Sequence, residues 1–193
     1  DYGIVGDETT STGTVTMTGA GSSWTIQEWL SVGYAGTGTL TINEGALVEA
    51  SSVYAGDEAG SDGTVYVTGT DSQLSAAGTV FIGYDGLGAM EVTGGGQVSS
   101  IVGALGYNLG SSGTATVSGA GSAWDAGSLG VGVFGDGELV VTDNGQLTSL
   151  ESGIGVGPES VAAAEVTNGG VWTNTDAMVI GIIGTGTLTI ASG

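Results

Sequence analysis

The chain of 193 residues contains no lysine, no arginine, no histidine and no cysteine, and a single proline. Each absence removes a class of function. Without a basic side chain nothing can neutralise phosphate, and 20 Asp and Glu residues give a formal charge of −20. A chain so charged repels polyanions, which excludes nucleic-acid binding and disfavours anionic membrane surfaces. No apolar run approaches the ~18 residues of a membrane span, so direct membrane insertion is not expected. No cysteine means no disulfide and no thiolate metal site. Catalysis loses its usual bases, nucleophiles and anion clamps along with His, Cys, Lys and Arg. Only carboxylates remain, and the adjacent pairs Asp7/Glu8 and Asp57/Glu58 offer one route to glycoside hydrolysis. Solvated turn residues are the simpler reading of both pairs. We therefore read the chain as non-enzymatic and without a cofactor, with a carboxylate-only carbohydrate-active enzyme as the remote alternative.

What is abundant is glycine, at 41 residues, set among a 40% share of hydrophobic residues spread evenly along the chain. That spread suffices for a core and argues against low-complexity disorder. The arrangement is periodic. "TVTMTGAGSSW" at 14–24 returns at 114–124 as "TATVSGAGSAW", with seven of eleven letters identical. Aligning on the small residue before each such segment gives registers at Gly13, Gly38, Gly63, Gly88, Gly113, Gly137, Ala162 and Gly186, spaced 24 or 25 residues apart. The second and fourth residues after each start, from Val15/Met17 and Leu40/Ile42 through Leu188/Ile190, are all apolar, and those between are mostly Thr. Strict alternation of this kind marks a β-strand with one buried face. A second apolar position follows a Gly-rich turn at Trp24, Leu47, Leu74, Val98, Trp124, Leu147 and Val171 or Trp172. A third falls at Val5, Val32, Ala55, Ile82, Leu105, Val131, Val156 and Ile180.

Three short strands and three corners in each 24–25 residues describe one coil of a parallel β-helix, an all-β solenoid running as one continuous domain over 1–193. One coil cannot bury its own inward side chains, whereas stacked coils cap one another. About eight coils at the ~4.8 Å inter-strand spacing make a rod on the order of 40 Å long. A superrepeat of 50 lies over the coils. Long turns begin at Gly6, Gly56 and Gly106 ("GDETTSTG", "GDEAGSDG", "GYNLGSSG"), and the intervening turns are two residues shorter. The sequence opens and closes inside a coil, which we read as a fragment of a longer array or as a subunit that stacks end to end into a filament.

"GTGTLTINEGALV" at 36–48, with "TVTMTGAGSSW" and "LSVGYAGTG", resembles the repeats in passenger regions of bacterial autotransporters and related large surface proteins. The resemblance implies a right-handed, single-stranded β-helix, exported and displayed outside the cell. It implies service as an adhesin, a self-associating element or a stalk. Partners would be other copies, other cell-surface molecules or carbohydrate.

Two groups of residues are candidates for binding. Asp57, Glu58 and Asp62, in the long turn 56–63, form the densest cluster of oxygen ligands and suit calcium, with loose counter-ion attraction as the alternative. Tyr34 and Tyr84 follow the third strand at equivalent turn positions, with Phe134 nearby, and Trp29 has no counterpart in other coils. They are candidates for an exposed stripe that contacts sugar rings or a partner protein. Trp24 and Trp124, at a corner after the first strand, read as core fillers. Thr-x-Thr rows on the outward face invite an ice-binding reading, but Tyr66, Glu91 and Glu165 interrupt them, and Thr is in any case a good outward strand residue.

Overall fold

The structure, a computed structural model, describes residues 1–192. Among them there is no helix, and every pair of adjacent strands is parallel. Eight strands stack into one sheet: Thr12–Thr18, Thr37–Asn43, Asp62–Thr68, Leu87–Thr93, Ser112–Ser118, Asp136–Thr142, Val161–Val166 and Thr185–Ile190. Their registers follow the repeat without a slip. Gly13, Gly38, Gly63, Gly88, Gly113, Gly137, Ala162 and Gly186 lie in one line across the sheet. So do Val15, Leu40, Val65, Met90, Ala115, Leu139, Ala164 and Leu188, which point into a continuous core. The chain is a β-solenoid of about eight coils.

The other two faces of each coil belong to a single 13-stranded sheet. In the first two coils the second and third strands are continuous, as Ser23–Val32 and Leu47–Ala55, and from Gln73 onward each coil breaks into two. The split therefore refines the three-strand reading. The long strand Ser23–Val32 also carries one more residue than its neighbour between Ile26 and Trp29, opposite Ala50 and Ser52. Trp29 itself pairs with Ser52, so its position recurs in the next coil and only the aromatic side chain does not.

Two columns differ from the sequence reading. The second-face core column runs Trp24, Val48, Leu74, Val98, Trp124, Leu147, Trp172, so Val48 rather than Leu47 occupies it and Trp172 resolves the open choice. In the third-face column Ile154, fully buried, aligns with Val131 and Ile180, and Val156 does not. Even spacing misled in both places, because turn length changes by one residue before the second face and by two after the third. A fourth long turn, Gly155 to Ala162, also escaped notice. Its residues, "GVGPESVA", share little with the other three, yet the span from turn glycine to first strand is the same.

Corners are set by glycine for two distinct reasons. Gly56 and Gly83 leave the third strand at φ +71° and +72°, a left-handed conformation that costs other residues about 1 kcal/mol or more. Gly88 opens the first strand with its Cα pressed on the preceding corner: a Cβ there would stand 2.6 Å from the Ile82 carbonyl carbon. Serines tie the coils into pairs. Ser72 and Ser122 accept hydrogen bonds from Gly45 N and Gly95 N of the preceding coil, each at 3.0 Å. Ser111 and Ser160 close the long turns on Asn108 O and Gly157 O at 2.7 and 2.8 Å.

The core also obeys the 50-residue period. Trp124 is fully buried, and its ring occupies the volume that Gly103 leaves vacant: a Cβ on Gly103 would lie 2.6 Å from Trp124 Cζ2. Its Nε1 donates to Ser100 Oγ at 3.3 Å. Fifty residues earlier the same three positions hold Ala50, Val53 and Leu74, a smaller residue at the corner facing a larger one on the strand. Near the far end Trp172 Nε1 donates to Ser149 Oγ at 2.8 Å, and Ser152 stands where Gly103 does. Gly3 and Trp24 repeat the Gly103 and Trp124 pairing 100 residues earlier. Trp24 and Trp124 are thus the core fillers that the sequence suggested.

Candidate functional site

Because coils stack in register, any outward column becomes a stripe along the rod. One such column follows the turn glycine at the end of the third strand. Backbone hydrogen bonds from Asp57 N to Gly33 O, Tyr84 N to Gly56 O and Tyr107 N to Gly83 O place Tyr34, Asp57, Tyr84 and Tyr107 in line, one per coil. Val133, Val156 and Ile182 continue it. The next outward column, on the third strand itself, carries Ser31, Tyr54, Phe81 and Ala104. Together the two columns build an aromatic patch that faces solvent.

The rings are in mutual contact. Tyr54 and Phe81 stack at 4.9 Å between centroids, Tyr84 and Tyr107 at 5.3 Å, and Tyr54 meets Tyr84 edge-on at 5.2 Å and 84°. Nearer the amino-terminal end, Trp29 is sandwiched between Tyr2 at 4.7 Å and Tyr34 at 6.4 Å. Aromatic pairs at these separations gain about 0.5–1.5 kcal/mol beyond the area they bury. The patch is therefore held rigid before anything binds.

Between the two groups of rings lies a concavity of about 220 Å³ lined by Trp29, Tyr34, Tyr54, Asp57 and Tyr84. It unites members of both candidate sets that the sequence kept apart: the three aromatics proposed as a binding stripe and one of the three acidic residues proposed for calcium. Tyr54, which sequence reasoning missed, completes the wall. Its signal was available, since among the described residues Tyr54 and Phe81 are the only aromatics at the outward penultimate position of a third strand. Phe134 is exposed but sits one position past the column, where Val133 takes its place.

Asp57 is half-buried in this aromatic setting, and desolvation raises its pKa above the ordinary carboxylate value. Repulsion from Glu58 and Asp85 pushes the same way. Ser31 opposes them: its hydroxyl favours the charged form, although the wholly buried Oγ has no hydrogen bond of good geometry. Asp57 in turn contributes, after burial, to the raised pKa of Tyr54, and Glu58 is the main cause of the raised pKa of Tyr34. The local field is strongly negative throughout.

The calcium reading fares differently. Glu58 lies exposed at the turn tip and Asp62 starts the next strand, and among the described residues no three acidic side chains converge on a metal position. Beyond Tyr107 the stripe changes character. Gly130 and Gly153 form the floor of a shallow apolar trough of about 380 Å³, with Val133, Val156 and Ile182 as its wall. No known protein family, curated protein or solved structure matches the chain.

Proposed function

We propose that the chain is a structural and adhesive rod segment, without catalytic activity, of a secreted protein displayed at the cell surface. Its repeats are of the kind found in autotransporter passengers. Stacked coils in unbroken register give stiffness, and the acid excess keeps such rods apart in solution. The observation that carries the reading is the aromatic stripe: rings pre-packed on one another stand outward in two adjacent columns along the rod. Rigid aromatics that present their faces to solvent are what an adhesive surface needs, since they contribute contact area at little entropic cost.

Adhesion of beads coated with the segment tests the reading, on a panel of surface glycans and on intact cells. Beads carrying the wild-type chain should adhere to at least one such surface, and beads carrying Trp29→Ala with Tyr84→Ala should detach. Wild-type beads that stick nowhere, or variant beads that adhere equally well, would overturn it.

A further inference from the structure

Asp57 poses a physical problem. A carboxylate withdrawn from water needs a counter-charge or several strong donors, and this chain has no Lys, Arg or His to offer. Ser31 Oγ, the hydroxyl that favours its charged form, is buried and has no hydrogen bond of good geometry. The positions equivalent to Asp57 in the coils on either side are Tyr34 and Tyr84, so two tyrosines flank the charge along its column.

We propose that Trp29, Tyr34, Tyr54 and Tyr84 form an aromatic cage whose floor is Asp57, and that it binds the alkylated ammonium group of a cationic ligand. This gives a ligand class to the patch on which the adhesive reading rests. The walls decide which cation fits. Calcium or magnesium demands six or more oxygen ligands, and the lining offers a single carboxylate and three phenol hydroxyls among four rings. A small, strongly hydrated ammonium would lose its water to surfaces that replace it poorly. An ammonium bearing methyl groups is weakly hydrated, presents apolar surface to the rings, and is drawn to their negative faces. The wall geometry suits it. Tyr54 and Tyr84 stand at 84° to each other, and the stacked pair Trp29 and Tyr34 lines the rest of the opening. Asp57 then gains the counter-charge that the chain lacks, and Ser31 Oγ has its partner in a carboxylate fixed in the charged form.

A neutral sugar could stack on the same rings, and the chain's overall charge could collect any cation diffusely. Proton NMR of the whole chain at 150 mM NaCl separates these outcomes. The probes are choline chloride, its uncharged isostere 3,3-dimethyl-1-butanol, and methyl glucoside. Choline should bind saturably, with its N-methyl signal moved upfield by the rings, while the isostere and the sugar bind at least tenfold more weakly. Asp57→Asn, which keeps the shape, and Tyr84→Leu should each weaken choline roughly 3- to 30-fold. Glu91→Gln, which removes one charge on a different face, should change nothing. Equal binding of choline and its isostere, or a Glu91→Gln effect as large as that of Asp57→Asn, would overturn the cage. Because the bead assay does not depend on choline, beads that still adhere would leave the adhesive reading standing after the cage had failed.

Discussion

Exchange of the core cassette around Trp124 probes whether the 50-residue unit is energetic as well as visual. Trp124, Gly103 and Ser100 occupy the positions that Leu74, Val53 and Ala50 occupy one unit earlier. Trp124→Leu removes about 60 Å³ of side chain, which at roughly 24 cal/mol per Å³ of cavity costs about 1.5 kcal/mol. It also orphans the buried Ser100 hydroxyl, which donated-to geometry at 3.3 Å now satisfies, for about 1–3 kcal/mol more. Gly103→Val alone drives a side chain into Trp124 Cζ2 and Leu129 Cδ1, where even a Cβ would sit at 2.6 and 2.9 Å, and overpacking of this kind costs about 1–3 kcal/mol. Combined, the changes compensate: valine adds about 80 Å³ where tryptophan gave up about 60, a net change smaller than one methylene. With Ser100→Ala the unsatisfied hydroxyl disappears too. The triple variant should therefore fall within about 1 kcal/mol of wild type, while Trp124→Leu alone loses about 2.5–4.5 and Gly103→Val alone about 1–3. For a chain of this length each kcal/mol shifts the melting temperature by about 2–4 °C, so circular dichroism melts will resolve the difference. A triple variant as unstable as the sum of its singles would refute the reasoning.

Other perturbations test other parts of the account. Gly88→Ala should cost more than about 3 kcal/mol, above the usual overpacking range, because its Cβ would strike backbone that cannot rotate aside. Gly60→Ala, whose Cβ would meet nothing within 4 Å, should lose only the about 1–2 kcal/mol of its φ of +86°. Melts of the two variants side by side check this contrast. Asp57→Asn should stabilise the folded chain at neutral pH. With its pKa raised on folding, Asp57 binds its proton more tightly in the folded state, so stability is greatest below the ordinary carboxylate value of 3.8 and falls as pH rises through the raised one. The advantage of the amide should accordingly shrink as pH is lowered, and a gain that is constant with pH would contradict the assignment. Finally, with −20 charges and no basic side chain, the melting temperature should rise between 10 and 150 mM NaCl as the screening length falls from about 30 to 8 Å. A melt indifferent to salt would show that the carboxylates do not repel one another across coils.

The fold was legible because a β-solenoid writes its hydrogen-bonding register directly into its period. Gly13 to Gly186 needed only counting, and the strands obeyed. Counting failed where turns change length, by one residue before the second face, which is how Leu47 displaced Val48, and by two after the third, which is how Val156 displaced Ile154. The site was half legible. Trp29, Tyr34 and Tyr84 stood out as aromatics at turn positions, but nothing in a linear reading says that Asp57 shares their column. That required knowing that a long and a short turn leave the third strand through the same glycine. Glu58 and Asp62 were grouped with Asp57 by adjacency alone, whereas only Asp57 of the three lines the aromatic concavity. Compensation between Gly103 and Trp124 was present in the letters as well, as glycine and tryptophan recurring together at 3/24 and 103/124. Its meaning becomes visible only when two consecutive coils are laid on each other.

Stacking itself is open to a direct measurement, helped by the absence of native cysteine. Paired spin labels at Thr14 and Thr114, Thr39 and Thr187, and Thr14 and Thr187, all in one outward column, lie four, six and seven coils apart. Electron–electron dipolar spectroscopy should return label separations that climb in proportion, near 19, 29 and 34 Å at about 4.8 Å per coil. Separations that fail to grow with coil number, or that scatter broadly, would contradict the stacked register on which the rod and its aromatic site both depend.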